Sequence, residues 1–514
     1  MKILAAAVVV SAFLALANAS DAQTVQTTNG AVLGETTGSV TAFKGIPYAA
    51  PPVGMNRWRA PQAAANWIGV RDARQFGHDC MQPPKVGIAA QGPILRSEPS
   101  EDCLYLNVWR PASAKSGAGL PVIVWIYGGA FISGGTSADI YSGASFARDG
   151  VIMVSMNYRV GRFGFFAHPG LAAEGYGGNF GILDQIAALK WVQANIENFG
   201  GDPNRVTIFG YSAGGWSGHV LLQSPLARGL FAGAIIQSGG GRSNILRPPT
   251  IAEAAGMYDH TFPGLNSNEL RALPADRIVG GSVNATSTNQ SDYSGAMIDG
   301  QTLLDSGLMA ASAGITANVP VIIGGNSGDG FPMQLDKEKT FASFGQDATL
   351  ARKLYDPSGN GDPFTTAIAA NADSLFLEPA REVARALAAR GRRVWLYRFG
   401  AMNPIYADVS KIDPAWKGSW GGAPHGSEVG FVFDNLAARR AEKVAPGEQE
   451  VATLMHRYWV NFAKTGKPDG LDDVPAWPQA TPGDTTVQFI DLAGAHHGED
   501  PLTARLDLVQ LHAR

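Results

Sequence analysis

Two cysteines are all that this chain of 514 residues contains, and neither belongs to a Cys/His spacing of the zinc-binding type. No Gly-x-x-x-x-Gly-Lys segment is present to cradle a phosphate, and no internal repeat is found. Only 16% of the residues are charged and the net charge is −4, which does not favour nucleic acid or an anionic membrane surface as a partner. The composition is that of an ordinary globular protein. We expect it to need no metal, no cofactor and no nucleic acid.

Long apolar runs are also scarce, and the one continuous run lies at the N-terminus. Residues 3–17 are apolar but too few to span a bilayer comfortably. Small-x-small sequences that suit signal-peptide cleavage end at Ala19 and at Ala22. We therefore interpret residues 1–22 as a secretory signal peptide, with an uncleaved anchor as the alternative. The mature chain, residues 23–514, is expected to be secreted or periplasmic and to have no membrane span.

Export would determine the redox state of the two cysteines, Cys80 and Cys103. In an oxidising compartment they can form a disulfide, which would stabilise the fold by about 3 kcal/mol through restriction of the unfolded chain. Two buried free thiols are the alternative. Neither cysteine is a predicted nucleophile.

Apolar runs that predict buried strands alternate with helical segments. The runs interpreted as strands are residues 25–32, 40–43, 104–108, 121–127, 151–156, 206–209, 234–236, 319–323 and 394–399. The clearest helix is predicted over residues 181–199. This alternation predicts an α/β fold with a large, mostly parallel central sheet flanked by helices. Residues 242–318 and 330–390 are interpreted as insertions over the C-terminal edge of the sheet, and since no linker is evident, we expect one domain over 23–514.

Ser212 stands at the centre of a Gly-x-Ser-x-Gly sequence that directly follows an apolar run and precedes residues able to start a helix. That setting is typical of a nucleophile elbow, a sharp turn that raises a serine hydroxyl above a sheet. Gly210 and Gly214 have no Cβ to obstruct the tight turn. Free N–H groups of the following helix would face negative charge forming at the serine. The pattern predicts covalent acyl transfer at Ser212, with a glycine-rich turn as the alternative.

A serine hydroxyl needs a base, usually histidine, and an acid that orients it. His425 lies in a loop rich in glycine and proline and is the predicted base, with His496 and His497 as rivals in a polar tail. In enzymes with a nucleophile elbow, the acid lies between the serine and the histidine in the order of the chain. Asp329 directly follows an apolar strand and is the predicted acid, with Asp299 as the runner-up.

Backbone N–H groups are expected to hold the oxyanion that forms during acyl transfer. One comes from Ala213, the residue after the nucleophile, and others from the glycine-rich loop Gly128-Gly129-Ala130 that follows an earlier strand. Aromatic residues near these segments are candidate pocket walls, for which core packing is an equal alternative; they are Phe131, Trp216, Phe331 and Trp420.

Several further motifs occur in a fixed order along nearly the whole mature chain. They are residues 43–49 followed by Arg57-Trp58, residues 100–108, residues 157–159, residues 178–181 with Asp184-Gln185, residues 195–203, residues 459–468 and Trp477-Pro478. Together with the serine motif they resemble the type-B carboxylesterase and cholinesterase-like family of α/β-hydrolases.

The resemblance implies an α/β-hydrolase fold and a serine carboxylesterase that acts on a small-molecule ester. The residues that it assigns are a triad of Ser212, Asp329 and His425, oxyanion donors Gly129, Ala130 and Ala213, a Cys80–Cys103 disulfide, structural ion pairs Arg57–Glu101 and Arg159–Asp184, and a supporting pair of Ser238 and Glu428.

Three positions depart from the family pattern. The acid is Asp329 where glutamate is common, so either its loop lies closer to the histidine or the orienting bond is longer. Tyr211 stands before the nucleophile where glutamate is frequent, which argues against a cholinesterase. Ala130 replaces a glycine, which is tolerable only with ordinary backbone dihedrals.

Two other functions stay open on the sequence. One is a binding or adhesion protein that has lost catalysis, and the other is the same triad acting on an amide or carbamate. The natural substrate, the acyl and alcohol preferences and the oligomeric state do not follow from the sequence.

Overall fold

The computed structural model describes residues 22–84, 93–172, 174–175, 177–242, 248–258, 261–279, 295–332, 334–412, 417–438, 443–471 and 473–513. The predicted signal peptide, residues 1–22, lies outside the described residues except for Ala22, at which the first strand begins.

Fifteen strands occur in the described part of the chain. They are β1 (Ala22–Thr27), β2 (Gly30–Thr37), β3 (Val40–Pro47), β4 (Val70–Asp72), β5 (Asp79–Cys80), β6 (Pro99–Ser100), β7 (Tyr105–Pro111), β8 (Leu120–Ile126), β9 (Ile152–Met156), β10 (Gly201–Tyr211), β11 (Gly233–Gln237), β12 (Val321–Asn326), β13 (Val394–Phe399), β14 (Thr486–Asp491) and β15 (Gly494–Glu499).

One large sheet takes the order β1-β2-β3-β7-β9-β8-β10-β11-β12-β13-β14-β15, with β4 beside β2 and with β5 and β6 paired separately. Every neighbouring pair from β9 to β14 in that order is parallel, whereas the flanking strands pair antiparallel. All residues of β9, β11, β12 and β13 are buried, as parallel strands covered on both faces require.

Helices flank the sheet or pack on one another. They are α1 (Ala144–Arg148), α2 (Gly161–Gly164), α3 (Pro169–Ala172), α4 (Phe180–Asn195), α5 (Ala213–Gln223), α6 (Ile251–Tyr258), α7 (Ser267–Ala272), α8 (Ala275–Val279), α9 (Gly307–Ala313), α10 (Lys337–Ala342), α11 (Ala348–Tyr355), α12 (Pro363–Ala372), α13 (Glu378–Ala389), α14 (Val429–Val432), α15 (Glu448–Thr465) and α16 (Thr503–His512). A π-helical turn, Asp373–Leu377, joins α12 to α13. Within the described residues, none of the helices combines the length and apolar composition needed to cross a bilayer.

The predicted fold class is confirmed, while one local prediction is wrong and some strands were not predicted. Residues 25–32 form not one strand but the end of β1, a turn and the start of β2. The Thr27 hydroxyl accepts a hydrogen bond from the Asn29 N–H (3.2 Å) and donates one to the Gly30 carbonyl (2.7 Å), which closes the turn. The strands β14 and β15 were not predicted, because β15 is a half-exposed edge strand without an apolar run.

The parallel arrangement of the central strands determines where a functional site can lie. Strands β8, β10, β11 and β12 are neighbours, and their carboxyl ends lie at one edge of the sheet. The loops that follow them therefore meet there, which is where ligands bind in open α/β sheets.

Candidate active site

Ser212 occupies the turn between β10 and α5. Its dihedrals are φ 56° and ψ −124°, a strained backbone for a residue with a side chain, and the Ser212 N–H donates to the Gln237 carbonyl at the end of β11 (2.9 Å). A Cβ on Gly214 would lie 2.0 Å from the Ile126 carbonyl oxygen, and one on Gly210 would lie 2.6 Å from the same atom. Only glycine fits at both positions, so the pentapeptide sequence is required by the turn itself.

Asp329 and His425 are brought together from different loops. The Asp329 carboxylate is buried, and its Oδ1 lies 2.6 Å from His425 Nδ1. Its Oδ2 accepts hydrogen bonds from the Ser238 hydroxyl (2.6 Å) and the Asn326 N–H (2.9 Å). With Nδ1 donating to Asp329, the lone pair of His425 is at Nε2. That atom is buried and, among the residues described, has no hydrogen-bond partner, so the Ser212 hydroxyl does not bond to it.

The two loops that carry the acid and the histidine are in direct backbone contact. The Gly328 N–H donates to the Ala423 carbonyl (2.9 Å), and the Ala423 N–H donates to the Ser327 hydroxyl (2.9 Å). A Cβ on Gly422 would lie 2.6 Å from the Gly328 nitrogen, so this approach requires glycine. The shorter side chain of Asp329 is therefore compensated by loops that lie close together, and the orienting bond is not lengthened.

Aromatic rings surround the imidazole of His425. Phe376 stacks on it with a centroid distance of 4.8 Å and an interplanar angle of 24°, and Phe331 meets it edge-on at 4.9 Å. Phe376 belongs to the π-helical turn after α12, a feature frequent at functional sites. Arg505 of α16 supports that turn through Asp373, with 2.7 Å between Nε and Oδ2. The segment 330–390 thus reaches the site, as predicted for an insertion.

The loop after β8 lies against Ser212, since a Cβ on Gly128 would lie 2.9 Å from the Ser212 Cβ. Gly129 has φ 120°, and a Cβ there would lie 2.0 Å from the Ser133 carbonyl oxygen. Within the described residues, no acceptor bonds the N–H groups of Gly129 and Ala130. Ala213 is the first residue of α5, so its N–H lies outside the helical ladder. Ala130 has φ 54°, so the ordinary dihedrals that its methyl group was expected to need are not found. Such a left-handed conformation costs about 1 kcal/mol or more in a residue with a side chain.

The rival acid and bases lie elsewhere. Asp299 closes a local turn through the N–H groups of Thr302 (2.7 Å) and Leu303 (3.0 Å). His496 and His497 lie on the edge strand β15, where the His496 ring stacks on a phenylalanine. None of the three is placed beside Ser212.

The four aromatic candidates divide between the site and the core. Phe331 contacts His425, and the half-buried Trp216 lines a small pocket with the glycines that follow Ser238. Phe131 is buried against Trp216, at 5.7 Å between centroids. Trp420 is buried and donates to the Gly328 carbonyl (2.7 Å), so it holds the acid loop instead of lining a pocket.

In the described part of the chain, no group of three or more His, Cys, Asp or Glu side chains is arranged to hold a metal ion.

Comparison with known proteins identifies the family of the chain. A family model described as "Carboxylesterase family" matches residues 21–507. The chain belongs to the carboxylesterase family. Similar relatives of this carboxylesterase include fumonisin B1 esterase of Sphingopyxis macrogoltabida, 35% identical over 471 residues (86% of this chain, 82% of the relative), and para-nitrobenzyl esterase of Bacillus subtilis (strain 168), 35% identical over 473 residues (89% and 92%).

A solved structure of a PNB esterase is also similar, with a TM-score of 0.77 at 32% sequence identity, covering 95% of this chain and 99% of that chain. The carboxylesterase has an α/β-hydrolase fold and is a hydrolase of carboxylic esters.

Behind the candidate triad of the carboxylesterase lies a buried polar network. Ser238 bonds to Asp329, while Glu428 accepts from the Asn326 side-chain amide (2.6 Å) and the Gln237 side-chain amide (3.2 Å). The supporting pair implied by the resemblance is therefore not joined directly, and each member acts on a different neighbour. Asn326 and Gln237 were not predicted, although each is a polar residue at the end of an otherwise apolar strand, and that is a usable signal.

The raised pKa of Glu428 predicts that the stability of the fold depends on pH. Burial, followed by the charge of Asp329, raises the pKa of Glu428 from 4.5 to about 7. The protonated carboxyl therefore stabilises the folded state fully below pH 4.5, and that contribution is lost as the pH rises through about 7. We expect the melting temperature to fall less between pH 5 and pH 8 in Glu428→Gln than in the wild type. Asp79 and Glu378 also have raised pKa values, but they are present in both proteins and cancel in the comparison. Parallel curves from differential scanning calorimetry would contradict this assignment.

The disulfide and the ion pairs of the carboxylesterase lie away from the triad. Cys80 and Cys103 form a disulfide that closes a segment of the chain before β7. Arg57 binds Glu101 through two hydrogen bonds of 2.7 and 2.6 Å. A buried pair forms in the same way between Arg159 and Asp184, at 2.8 and 2.7 Å. These contacts hold connecting segments against the sheet.

Proposed function

We propose that this carboxylesterase is a serine hydrolase in which Ser212 is the nucleophile, His425 the general base and acid, and Asp329 the orienting acid. The observation that carries the proposal is the 2.6 Å contact between Asp329 Oδ1 and His425 Nδ1. It leaves a buried Nε2 without a partner in the described structure, at the end of the sheet where β10 presents Ser212. A buried acceptor without a donor is unfavourable in a merely structural site.

In the first half-reaction, the Ser212 Oγ bonds to the ester carbonyl carbon while its proton passes to His425 Nε2. The carbonyl oxygen becomes an oxyanion, for which the N–H groups of Gly129, Ala130 and Ala213 are the proposed donors. The intermediate then collapses, the bond to the alcohol oxygen breaks, and Nε2 returns the proton to the departing alcohol. Asp329 stabilises the imidazolium throughout and does not take the proton itself.

In the second half-reaction, water takes the place of the alcohol. His425 Nε2 removes a proton from the water, whose oxygen bonds to the acyl carbon. The bond from that carbon to Ser212 Oγ then breaks as Nε2 returns the proton to Oγ. The carboxylic acid leaves and the serine hydroxyl is restored.

The proposed substrate is a small-molecule ester. Half-buried aromatic side chains, Trp216 and Phe331, stand beside the elbow and the imidazole. Relatives named for a fumonisin ester and for a para-nitrobenzyl ester support the ester bond as the shared feature of the substrates.

Hydrolysis of p-nitrophenyl esters from acetyl to octanoyl tests this function. We expect turnover of at least the shorter esters, with a chain-length optimum set by the acyl pocket, and covalent labelling of Ser212 by a fluorophosphonate probe. The label is located by mass spectrometry of the peptide that contains the serine. Absence of both turnover and labelling would refute the proposal.

We further propose that residues 1–22 are removed on export and that residues 23–514 form one domain. The Cys80–Cys103 disulfide supports export, because disulfides persist in oxidising compartments. The intact mass of protein recovered outside the cytoplasm measures the new N-terminus, and an unprocessed mass would refute the signal peptide.

A further inference from the structure

The side chain of Tyr211, the residue before the proposed nucleophile, fills the space between two loops of the candidate site. One edge of its ring faces the loop after β8, since a Cβ on Gly128 would lie 2.9 Å from Tyr211 Cε1. The opposite edge faces the histidine loop, since a Cβ on Gly426 would lie 2.8 Å from Tyr211 Cε2. Both loops therefore approach the ring as closely as backbone can, and both use glycine to do so.

The ring itself is held from behind. Trp125 of β8 stacks parallel to Tyr211, with a centroid distance of 5.9 Å and an interplanar angle of 7°. The hydroxyl of Tyr141 hydrogen-bonds to that of Tyr211, and burial raises the pKa of Tyr211 to about 12, so the side chain stays neutral. The His425 ring lies 5.9 Å from the Tyr211 ring. A ring fixed by a buried tryptophan and a buried tyrosine makes a rigid spacer.

We propose that Tyr211 is a positioning residue whose ring sets the distance between the loop of proposed oxyanion donors and the loop that carries His425. The inference rests on the serine mechanism proposed above and goes beyond it, because Tyr211 takes no part in bond making. Its hydroxyl is already bonded to Tyr141 and is not needed for the spacing.

The physical reason lies in the two distances that the transition state requires. The oxyanion donors must lie about 2.7–3.1 Å from the developing charge, and Nε2 must come within hydrogen-bond reach of the serine oxygen. Each loop supplies one of these distances. Without the ring, Gly128 and Gly426 face an empty space and the loops lose their common support. A misplacement of about 1 Å at such a site costs about 100-fold in rate.

The test compares Tyr211→Ala with Tyr211→Phe on p-nitrophenyl acetate. We expect kcat to fall about 100-fold in Tyr211→Ala while KM changes less than about threefold, because loop geometry affects the transition state more than the bound ester. Tyr211→Phe keeps the ring and loses only one hydrogen bond, so its kcat is expected to stay within about threefold of the wild type. Binding of a trifluoromethyl ketone, which mimics the tetrahedral intermediate, should weaken in parallel with kcat/KM.

Tyr458→Ala is the matched control. Tyr458 is likewise a buried tyrosine packed on a tryptophan, with its hydroxyl bonded to the Pro475 carbonyl (2.8 Å), but it lies on α15. We expect this variant to lose stability and to keep its kcat per folded molecule. An equal loss of kcat in Tyr458→Ala would overturn the proposal, because it would show general loosening of the fold.

Two other outcomes also overturn it. A kcat of Tyr211→Ala within about threefold of the wild type would show that the ring sets no critical distance. A loss in Tyr211→Phe as large as that in Tyr211→Ala would assign the effect to the hydroxyl. Fluorophosphonate labelling of the wild type separates the positioning role of Tyr211 from the serine mechanism on which it rests. A labelled wild type with an unaffected Tyr211→Ala refutes the positioning role alone, whereas an unlabelled wild type refutes both.

Discussion

Replacement of Ser212 by alanine is expected to lower kcat for p-nitrophenyl acetate by about 10⁶-fold, the loss typical of a serine nucleophile. The rest of the site would remain, so KM should change little and some hydrolysis above the water rate should persist from the oxyanion donors. Stopped-flow measurement of p-nitrophenol release gives a second readout. Any initial burst seen with the wild type should vanish, because no acyl-enzyme can form.

A second serine on the same helix serves as the control for this substitution. Ser217 is buried in α5 and its hydroxyl donates to the Ala213 carbonyl (2.9 Å). We expect Ser217→Ala to keep kcat per folded molecule within about threefold, since it removes two hydrogen bonds, one to the Ala213 carbonyl and one from the Gln185 side-chain amide (2.9 Å), but no reacting group. Equal losses in both variants would point to distortion of the helix instead of loss of a nucleophile.

Replacement of Asp329 by asparagine is expected to lower kcat by about 10⁴-fold. The amide has the same size as the carboxylate, but its NH₂ group can donate to Nδ1, which moves the imidazole proton to Nε2 and removes the base. The loss should appear in kcat measured on p-nitrophenyl esters, with the protein still folded by circular dichroism.

Two comparisons sharpen the assignment of Asp329. Asp299→Asn, at the rival position, should leave kcat per folded molecule nearly unchanged, because its carboxylate closes a local turn and accepts from the Asn179 side-chain amide (2.8 Å), and neither contact involves His425. Asp329→Glu adds a methylene where the carboxylate is fully buried and the loops are already in contact, so a destabilisation of about 1–3 kcal/mol from overpacking is expected. Full activity of Asp329→Asn together with an inactive Asp299→Asn would reverse the two assignments.

Much of the fold was predictable because the decisive patterns are local. Parallel strands buried on both faces must be nearly continuous apolar runs, and such runs are visible in a single sequence. The turn at Ser212 was equally visible, since the collisions that a Cβ would cause at Gly210 and Gly214 leave glycine as the only residue that fits. The proposed histidine and acid were predicted from chain order and from the loops in which they lie.

The remaining features depend on contacts between distant parts of the chain. The stacking of Phe376 on His425 follows from a π-helical turn for which no sequence pattern was available. Glu428 meets Gln237 across 191 positions of sequence, and only the neighbouring order of the strands brings them together. The exposed strand β15 lacks the apolar alternation by which half-buried strands are recognised.

Because α16 supports Phe376, the time at which the site is completed depends on the order in which the chain is synthesised. Arg505 binds Asp373, and Leu506 packs in one cluster with Leu375 and Leu377. Because synthesis proceeds from the N-terminus, the helix that braces the imidazole's aromatic neighbour leaves the ribosome after the strands and the serine turn. A nascent chain can therefore assemble strands β8 to β12 and the serine turn before the site is complete, and we expect esterase activity only after α16 has left the ribosome.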